Sequence, residues 1–290
     1  MEYIKGFSVK PASITPSGVV LFTDGTTEDL VVNQPTCEAY GYTYNQETGQ
    51  CIATSVNENL VLNISKSDNI IQGSNDIGRG TTNSLISGQN NKSFINRNCL
   101  VIGENHSLQN NFNNASILGG MSADIRRQSE VAIGGGFIGQ LDAGRSVTLS
   151  ALKQQSFIQL SGVTTDNTAT KLTVQGDGSS YINVRNNSII GYEIYITRFE
   201  LGGTSGIAGN FSYRNLKGVV RIDDSYNMTF TTGYTRNIGK LGVNGTYSMV
   251  DSSTTDVKSI TIEVIDRNNV NNLWSASVYL HEVVSTTTTF

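Results

Sequence analysis

The sequence predicts an all-β protein that combines a parallel β-roll with an antiparallel β-sandwich, and three observations support this. Later segments of the chain alternate apolar and polar residues. Glycine is frequent at 30 of 290 residues, proline is rare at 3, and only 15% of residues are charged. Five short apolar segments each end in a glycine, spaced 15, 15, 16 and 15 residues apart: Gly73, Gly88, Gly103, Gly119 and Gly134. A repeat this short suits one coil of a β-roll.

Asparagine recurs at fixed places in the repeat. It stands five residues before a glycine at Asn83, Asn98 and Asn114, and two residues after a glycine at Asn75, Asn90 and Asn105. Glycine and asparagine both accept the positive φ that tight turns need. Stacked amides can also hydrogen-bond along a roll. We therefore predict a left-handed parallel β-roll of roughly 15-residue coils over residues 57–145.

The predicted roll is thin. Each coil brings only two or three apolar side chains inward, and about five coils at a spacing of roughly 4.8 Å rise about 24 Å. A single copy would have a small core and two open ends. Association would remove this weakness, and threefold packing would let three thin rolls share one core.

Residues 1–56 precede the repeat and form a separate segment in this prediction. Two strand-like runs surround Asp24 and Gly25, a combination typical of a hairpin. A second hairpin is expected over residues 37–51, with its turn near residues 47–49. Cys37 and Cys51 flank that hairpin and could form a disulfide across it, or remain reduced thiols, since the compartment decides the outcome.

Residues 146–290 predict the β-sandwich. The segment 259–265 places Ile260, Ile262 and Val264 on one face, and a strand that begins at Trp274 alternates in the same way. Seven or eight such strands separated by turn-forming residues indicate a jelly-roll-like domain.

Composition argues against several partners. The net charge is −4 and the chain has no run of lysine or arginine, which disfavours nucleic acid and anionic membranes. No apolar run is long enough for membrane insertion, and the first residues lack a secretion signal, so assembly in a host cytoplasm is expected. Three cysteines and two histidines at wide spacing predict no metal site. We also expect no cofactor.

Several segments resemble known viral and bacterial surface proteins. Residues 129–134, Ser-Glu-Val-Ala-Ile-Gly, resemble the coil signature of trimeric autotransporter adhesin heads. Residues 160–170, 187–198 and 273–283 are similar to the terminal domains of bacteriophage fibres, and residues 37–51 resemble a segment near the anchors of phage virion proteins. The resemblance implies a homotrimeric head or tail fibre on the virion surface. Its N-terminus would attach to a capsid or tail protein, and the sandwich would form the distal tip.

Under this resemblance the tip would bind a host-surface glycan or protein. Exposed aromatic and planar polar side chains suit carbohydrate, and the candidates lie in one Gly- and Thr-rich stretch: Tyr226, Tyr234, Arg236 and Tyr247. The alternative is a protein that decorates the capsid without an essential receptor-binding role. The sequence does not separate these two functions.

Catalysis is the third possibility. Phage spikes that cleave glycans use paired carboxylates, and the candidate acids here are Asp124, Glu130, Asp142, Asp223 and Asp224. The coils, however, use most of their residues for turns, and no nucleophile elbow or phosphate-binding loop is present. The sequence therefore predicts a protein that binds and is not an enzyme.

Overall fold

The computed structural model describes residues 9–53, 69–138 and 151–285, apart from positions 16 and 79. The chain forms two compact units, Met1–Leu62 and Asn63–Phe290. The prediction of an all-β protein is confirmed, since one six-residue helix is the only helix in the described parts of the chain. No helix among these residues has the length and apolar character needed to cross a membrane.

The first unit contains a small antiparallel pair, β1 (Lys10–Ile14) with β2 (Val20–Thr23). The sequence predicts instead that β2 pairs across the Asp24-Gly25 turn. In the structure that pairing is reduced to one bridge between Phe22 and Leu30. Strand β2 instead forms its regular pairing with β1, on its other edge, which corrects the predicted hairpin.

The segment around the two cysteines begins with a helix. Helix α1 (Gln34–Ala39) is capped at its N-terminus by Asn33, whose side chain accepts a hydrogen bond from the Thr36 amide at 3.1 Å. Strands β3 (Thr43–Asn45) and β4 (Gln50–Ile52) then form the expected hairpin. Cys37 lies on the helix and not on the hairpin, and a disulfide joins it to Cys51.

The second unit begins with the parallel solenoid that the sequence predicts. Each coil contributes one strand to a long sheet: β5 (Ile70–Gln72), β7 (Leu85–Gln89), β9 (Leu100–Glu104), β11 (Ser116–Met121) and β13 (Val131–Ile138). The return side of each coil adds a two-residue strand to a second sheet: β6 (Asp76–Ile77), β8 (Lys92–Ser93), β10 (Ser107–Leu108) and β12 (Asp124–Ile125). The handedness of the roll stays a prediction.

The predicted asparagine turns are present. Asn83, Asn98 and Asn114 have φ values of 51°, 56° and 57°, in the left-handed region. Gly88 has a φ of 126°, and a Cβ there would lie 1.8 Å from the carbonyl oxygen of Gly103 in the next coil. Glycine is therefore required at this position both for conformation and for space.

The polar stack inside the coils differs from the prediction. Asn75 Oδ1 accepts from the side chain of Asn91 at 2.9 Å, Asn91 Oδ1 accepts from the His106 amide at 3.0 Å, and His106 Nδ1 accepts from the Ala123 amide at 3.0 Å. Burial lowers the pKa of His106. Asn90 and Asn105 are instead corner residues with positive φ. The buried amide follows the repeat glycine by two residues at Asn75 but by three residues at Asn91, so one extra residue moves the buried position from Asn90 to Asn91.

The sandwich follows the coils. One layer extends the long sheet with β14 (Ala151–Thr164), β18 (Ser188–Gly202), β19 (Phe211–Ile222), β20 (Met228–Leu241) and β23 (Asn271–Ser285), while β16 (Thr173–Val174) pairs with β14. The other layer holds β15 (Thr170–Lys171), β17 (Ile182–Asn183), β21 (Thr246–Asp251) and β22 (Ser259–Ile265). A shared aliphatic core, which includes Trp274, lies between the layers.

The coils and the sandwich share one sheet. Its strand order is β20-β19-β18-β23-β14-β13-β11-β9-β7-β5, and antiparallel pairing of β13 with β14 joins the two parts. The jelly-roll strand order is not shown, because β18, β19 and β20 remain consecutive neighbours within this sheet. The predicted domain limits at residues 56 and 145 stay predictions.

A buried ion cluster lies where the last coil meets the sandwich. Arg127 donates to Glu130 at 2.7 Å and to Glu282 at 3.0 Å, and all three side chains are buried. Arg185 binds the same Glu282 carboxylate at 3.1 Å. Burial alone would raise the pKa of Glu282, but the attraction of Arg127 and Arg185 lowers it to about 2. The cluster therefore ties the coils to strand β23.

Candidate functional site

A shallow hollow of about 540 Å³ lies on the outer face of the long sheet, at its β20 edge. We call it the edge patch, and its lining side chains come from β18, β19 and β20: Tyr195, Asn215, Lys217, Tyr234, Arg236 and Ile238. Two of the four sequence-predicted binding residues, Tyr234 and Arg236, therefore lie together.

Strand register explains why these residues meet. Tyr195 pairs with Asn215, which pairs with Arg236 on the next strand. Lys217 pairs with Tyr234. Directly opposed residues of neighbouring strands point to the same face. Strand β20 has an extra residue on each side of this stretch, and such bulges bend a strand and redirect its side chains.

One carboxylate organises the charges beside the patch. Glu193 Oε1 lies 2.8 Å from Lys217 Nζ and accepts a hydrogen bond from the Tyr195 hydroxyl at 2.7 Å. These contacts lower the pKa of Glu193 and raise the pKa values of Lys217 and Tyr195. The charge of Lys217 is therefore already balanced.

Arg236 is different. No carboxylate in the described parts of the chain lies within ion-pair distance of its guanidinium. It stands near the exposed ring of Tyr234 and near Asn215, whose side-chain amide donates to the Ile194 carbonyl at 3.2 Å. A cation, an aromatic ring and a fixed amide in one shallow hollow suit a sugar that carries a negative charge.

Aromatic rings continue from the edge patch toward β14. Tyr195 stacks on Tyr213 with ring centroids 5.9 Å apart and meets Tyr279 edge-on at 6.4 Å. Tyr279 in turn packs against Phe157 at 5.0 Å. These contacts fix the position of the Tyr195 ring before any ligand arrives.

The other two predicted binding residues lie elsewhere. Tyr226 occupies the turn before β20 and borders a different hollow. Tyr247 packs against the sandwich core, its hydroxyl is buried, and the Arg214 guanidinium lies 4.9 Å from its ring centroid. The structure therefore does not bring the four residues into one site.

The candidate acids are mostly committed to local structure. Asp124 and Glu130 are held by arginines of the ion cluster. Asp223 accepts hydrogen bonds from the backbone and side chain of Asn227, which lower its pKa. Asp224 is exposed in the same turn, and Asp142 lies outside the described residues.

Sequence reasoning missed Tyr195, Asn215 and Lys217. Each sits on the outward face of its strand, and Asn215 is buried there. Alternation assigns a residue to one face of a strand but does not tell which residues of that face form a site. The signal that could have found them is the strand pairing, which the sequence does not show directly.

No protein-family model and no curated protein sequence matches this chain. Three solved structures are similar in part. Tailspike gp49 of Acinetobacter baumannii bacteriophage Fri1, a capsular polysaccharide depolymerase, is 11% identical with a TM-score of 0.22, covering 73% of this chain and 39% of the tailspike. The tailspike of A. baumannii phage AM24 is 6% identical with a TM-score of 0.22, and the match covers 75% of this chain and 48% of the tailspike. The tailspike of Acinetobacter phage vB_ApiP_P1 is 10% identical with a TM-score of 0.20, and the match covers 75% of this chain and 49% of the tailspike.

The chain spans less than half the length of each of these tailspikes. The comparison with the Fri1 tailspike contradicts one prediction made from the sequence, since that tailspike is described as a capsular polysaccharide depolymerase, which is an enzyme. The prediction that this chain is not an enzyme is therefore wrong on this comparison and is withdrawn.

Proposed function

We propose that the chain is the subunit of a homotrimeric bacteriophage fibre, attached to the virion through its N-terminal segment, whose tip binds an acidic polysaccharide of the host surface. The observation that carries the binding role is the edge patch, where Arg236, which has no carboxylate partner among the described residues, stands beside an exposed tyrosine. The observation that supports association is a row of exposed apolar residues on the coils.

That apolar row is two side-chain positions wide on the outer face of the coil strands. Ile70 and Leu85 lie at one position, and Ile102, Leu118 and Ile133 lie at the next outward-facing position along the strands. Their exposed fractions run from 37% to 58%. The coils bury few large side chains of their own, since three of the nine members of their core are alanine. A partner copy over the apolar row would bury apolar surface on the opposite side of the strands from this core.

Light scattering on the purified chain tests association. We expect a mass of three 31.3 kDa chains that resists dilution. The double variant Ile102→Asp with Leu118→Asp should dissociate it, because two carboxylates would be buried without partners. Ile207→Asp, at an exposed tip residue, is the control and should stay trimeric. A wild-type monomer would contradict the shared core.

Binding is tested on an array of defined acidic and neutral oligosaccharides from bacterial capsules and O-antigens. The full-length chain should retain acidic members, and Arg236→Ala should weaken that binding about tenfold or more, as expected for a charged hydrogen bond worth about 1.5–3 kcal/mol. Lys240→Ala, an exposed cation on the same strand, is the matched control. Equal binding by Arg236→Ala and wild type would contradict the proposal that the edge patch is the binding site.

The same incubation distinguishes binding from cleavage. Release of reducing ends from a bound capsular polysaccharide would show that the fibre is also a depolymerase. Virions that lack the protein but adsorb normally would favour the alternative of a capsid decoration.

A further inference from the structure

A second cleft lies on the other side of the molecule, between the return side of the coils and the smaller sheet of the sandwich. It consists of two hollows of about 500 and 240 Å³ that share Phe112, Asn183 and Val257. Each borders the sandwich loops before β22, and together they reach the size of sites that bind small molecules, about 300–1,000 Å³. We infer that this cleft binds a neutral segment of an extended glycan chain, at a site separate from the edge patch.

Aromatic side chains stand along the cleft. Phe112 packs its inner side against the coil core, while Tyr181 and Tyr226 come from the sandwich. All three are partly exposed. Rings that are anchored on one side and open on the other present the flat surface on which sugar rings stack.

Tyr226 is held in a strained conformation. Its φ is 63°, which is unusual for a bulky residue. The surrounding turn enforces it, because the Tyr226 amide donates to the Asp223 carbonyl at 3.2 Å and Asp223 Oδ1 accepts from the Asn227 amide at 2.7 Å. Strain of this kind tends to accompany functional positions. Here it directs a tyrosine toward the cleft.

A fixed amide lies between the rings. The side chain of Asn183 donates to the Arg126 carbonyl at 2.9 Å, and the Asn183 carbonyl accepts from Arg127 Nε at 2.7 Å. Asn183 Oδ1 takes no hydrogen bond from the described residues, so it is available to a hydroxyl group of a ligand.

Charges in the cleft balance. Arg126 is paired with Asp124 at 2.6 Å, and the remaining lining charges are one lysine, Lys258, and one aspartate, Asp256. The edge patch, by contrast, contains Arg236, which forms no ion pair within the part of the chain that the structure describes. The cleft therefore favours an uncharged sugar, whereas the patch favours an acidic one.

The same oligosaccharide array tests the cleft separately. We expect the full-length chain to retain neutral members, and Tyr226→Asn to weaken this about tenfold, because asparagine keeps the positive φ but removes the ring. Lys258→Ala should weaken it by a smaller factor. Lys240→Ala, at an exposed residue that lines neither the cleft nor the edge patch, is the control and should leave neutral binding unchanged.

Three results would overturn the cleft proposal. They are no neutral oligosaccharide bound by wild type, equal binding by Tyr226→Asn and wild type, or binding of a host surface protein that Tyr226→Asn abolishes while sugars have no effect. Circular dichroism spectra of the variants should match the wild-type spectrum, which shows that the fold is kept. Loss of acidic binding in Arg236→Ala together with unchanged neutral binding in Tyr226→Asn would leave the proposed function standing and remove the cleft alone.

Discussion

The coils and the sandwich bury different interiors. The sandwich core is a continuous cluster of aliphatic side chains with Trp274, whose Nε1 donates to the Thr164 hydroxyl at 2.9 Å. The coil interior combines isoleucine, leucine, valine, alanine and Cys99 with a ladder of polar side chains. The sandwich is thus stabilised mainly by removal of apolar surface from water, while the coils depend on backbone geometry and on complete hydrogen bonding.

The largest expected effect breaks the coil geometry. Gly88→Ala places a Cβ 1.8 Å from the Gly103 carbonyl oxygen, so neighbouring coils must separate. We expect a loss above about 4–5 kcal/mol in the free energy of unfolding, measured by denaturant titration. Gly119→Ala is the matched control, since Gly119 has a similar φ of 122° but nothing within 4 Å of a Cβ. Equal losses of stability in the two variants would show that the positive φ, and not the space for a Cβ, determines the cost of the substitution.

The next effect separates the two regions at their junction. Glu282→Gln removes the charge that Arg127 and Arg185 share, and breaking a buried ion pair costs about 3–5 kcal/mol. Glu193→Gln, which breaks the more exposed pair with Lys217, should change stability by no more than about 1 kcal/mol. Thermal unfolding followed by circular dichroism measures both. A small loss in Glu282→Gln would mean that Glu130 alone suffices for Arg127.

Removal of one rung tests the polar ladder. Asn91→Ala leaves the buried His106 amide and the Gly103 carbonyl without their partner, and each such group costs about 1–3 kcal/mol. Asn90→Gly, one residue earlier at an exposed corner with a φ of 57°, should be close to neutral. Chemical denaturation of both variants compares them. A neutral Asn91→Ala would mean that water replaces the rung.

Acid should weaken the junction progressively. The pKa of Glu282 is lowered to about 2 in the folded protein, below its ordinary value of 4.5. The corresponding stability is present above pH 4.5 and is lost as the pH falls toward 2. Unfolding temperatures measured between pH 6 and pH 2.5 should fall, and Glu282→Gln should flatten this dependence. If wild type and Glu282→Gln showed the same dependence of unfolding temperature on pH, other carboxylates would be responsible for the acid sensitivity.

The smallest expected effect is a gain. Ile95 has a φ of 56° at a coil corner, although its β-branched side chain disfavours that conformation, and about half of the side chain is exposed. Ile95→Asn should stabilise the chain by about 1 kcal/mol, because asparagine is used at the same φ at Asn98. A loss of stability in differential scanning calorimetry would show that the isoleucine packs usefully.

The sequence predicts the coils well because glycine and asparagine spacing reports backbone conformation directly. Asn83 and Asn98 are examples of this. It does not predict the register of the ladder, since one extra residue between coils shifts the buried position from Asn90 to Asn91. Arg127 also escapes sequence reasoning, because a charged residue is expected in solvent unless its partners are known.

The candidate site is only partly predictable from the sequence, because the sequence does not show which strands pair. Tyr234 and Arg236 are two residues apart on one strand, so alternation places them together. Tyr195 and Asn215 reach them only through contacts between strands distant in sequence. Helix α1 was missed because its six residues are too few for a helical pattern to show.

The joint between β13 and β14 has a mechanical consequence. Strand β13, which belongs to the last coil, hydrogen-bonds to β11 of the preceding coil on one side and to β14, the first long sandwich strand, on the other. A pull that parts the coils from the sandwich must therefore rupture the hydrogen bonds of a sheet together with the Arg127–Glu282 pair, rather than straighten a tether. Load and torque applied at one part pass to the other as through a single plate.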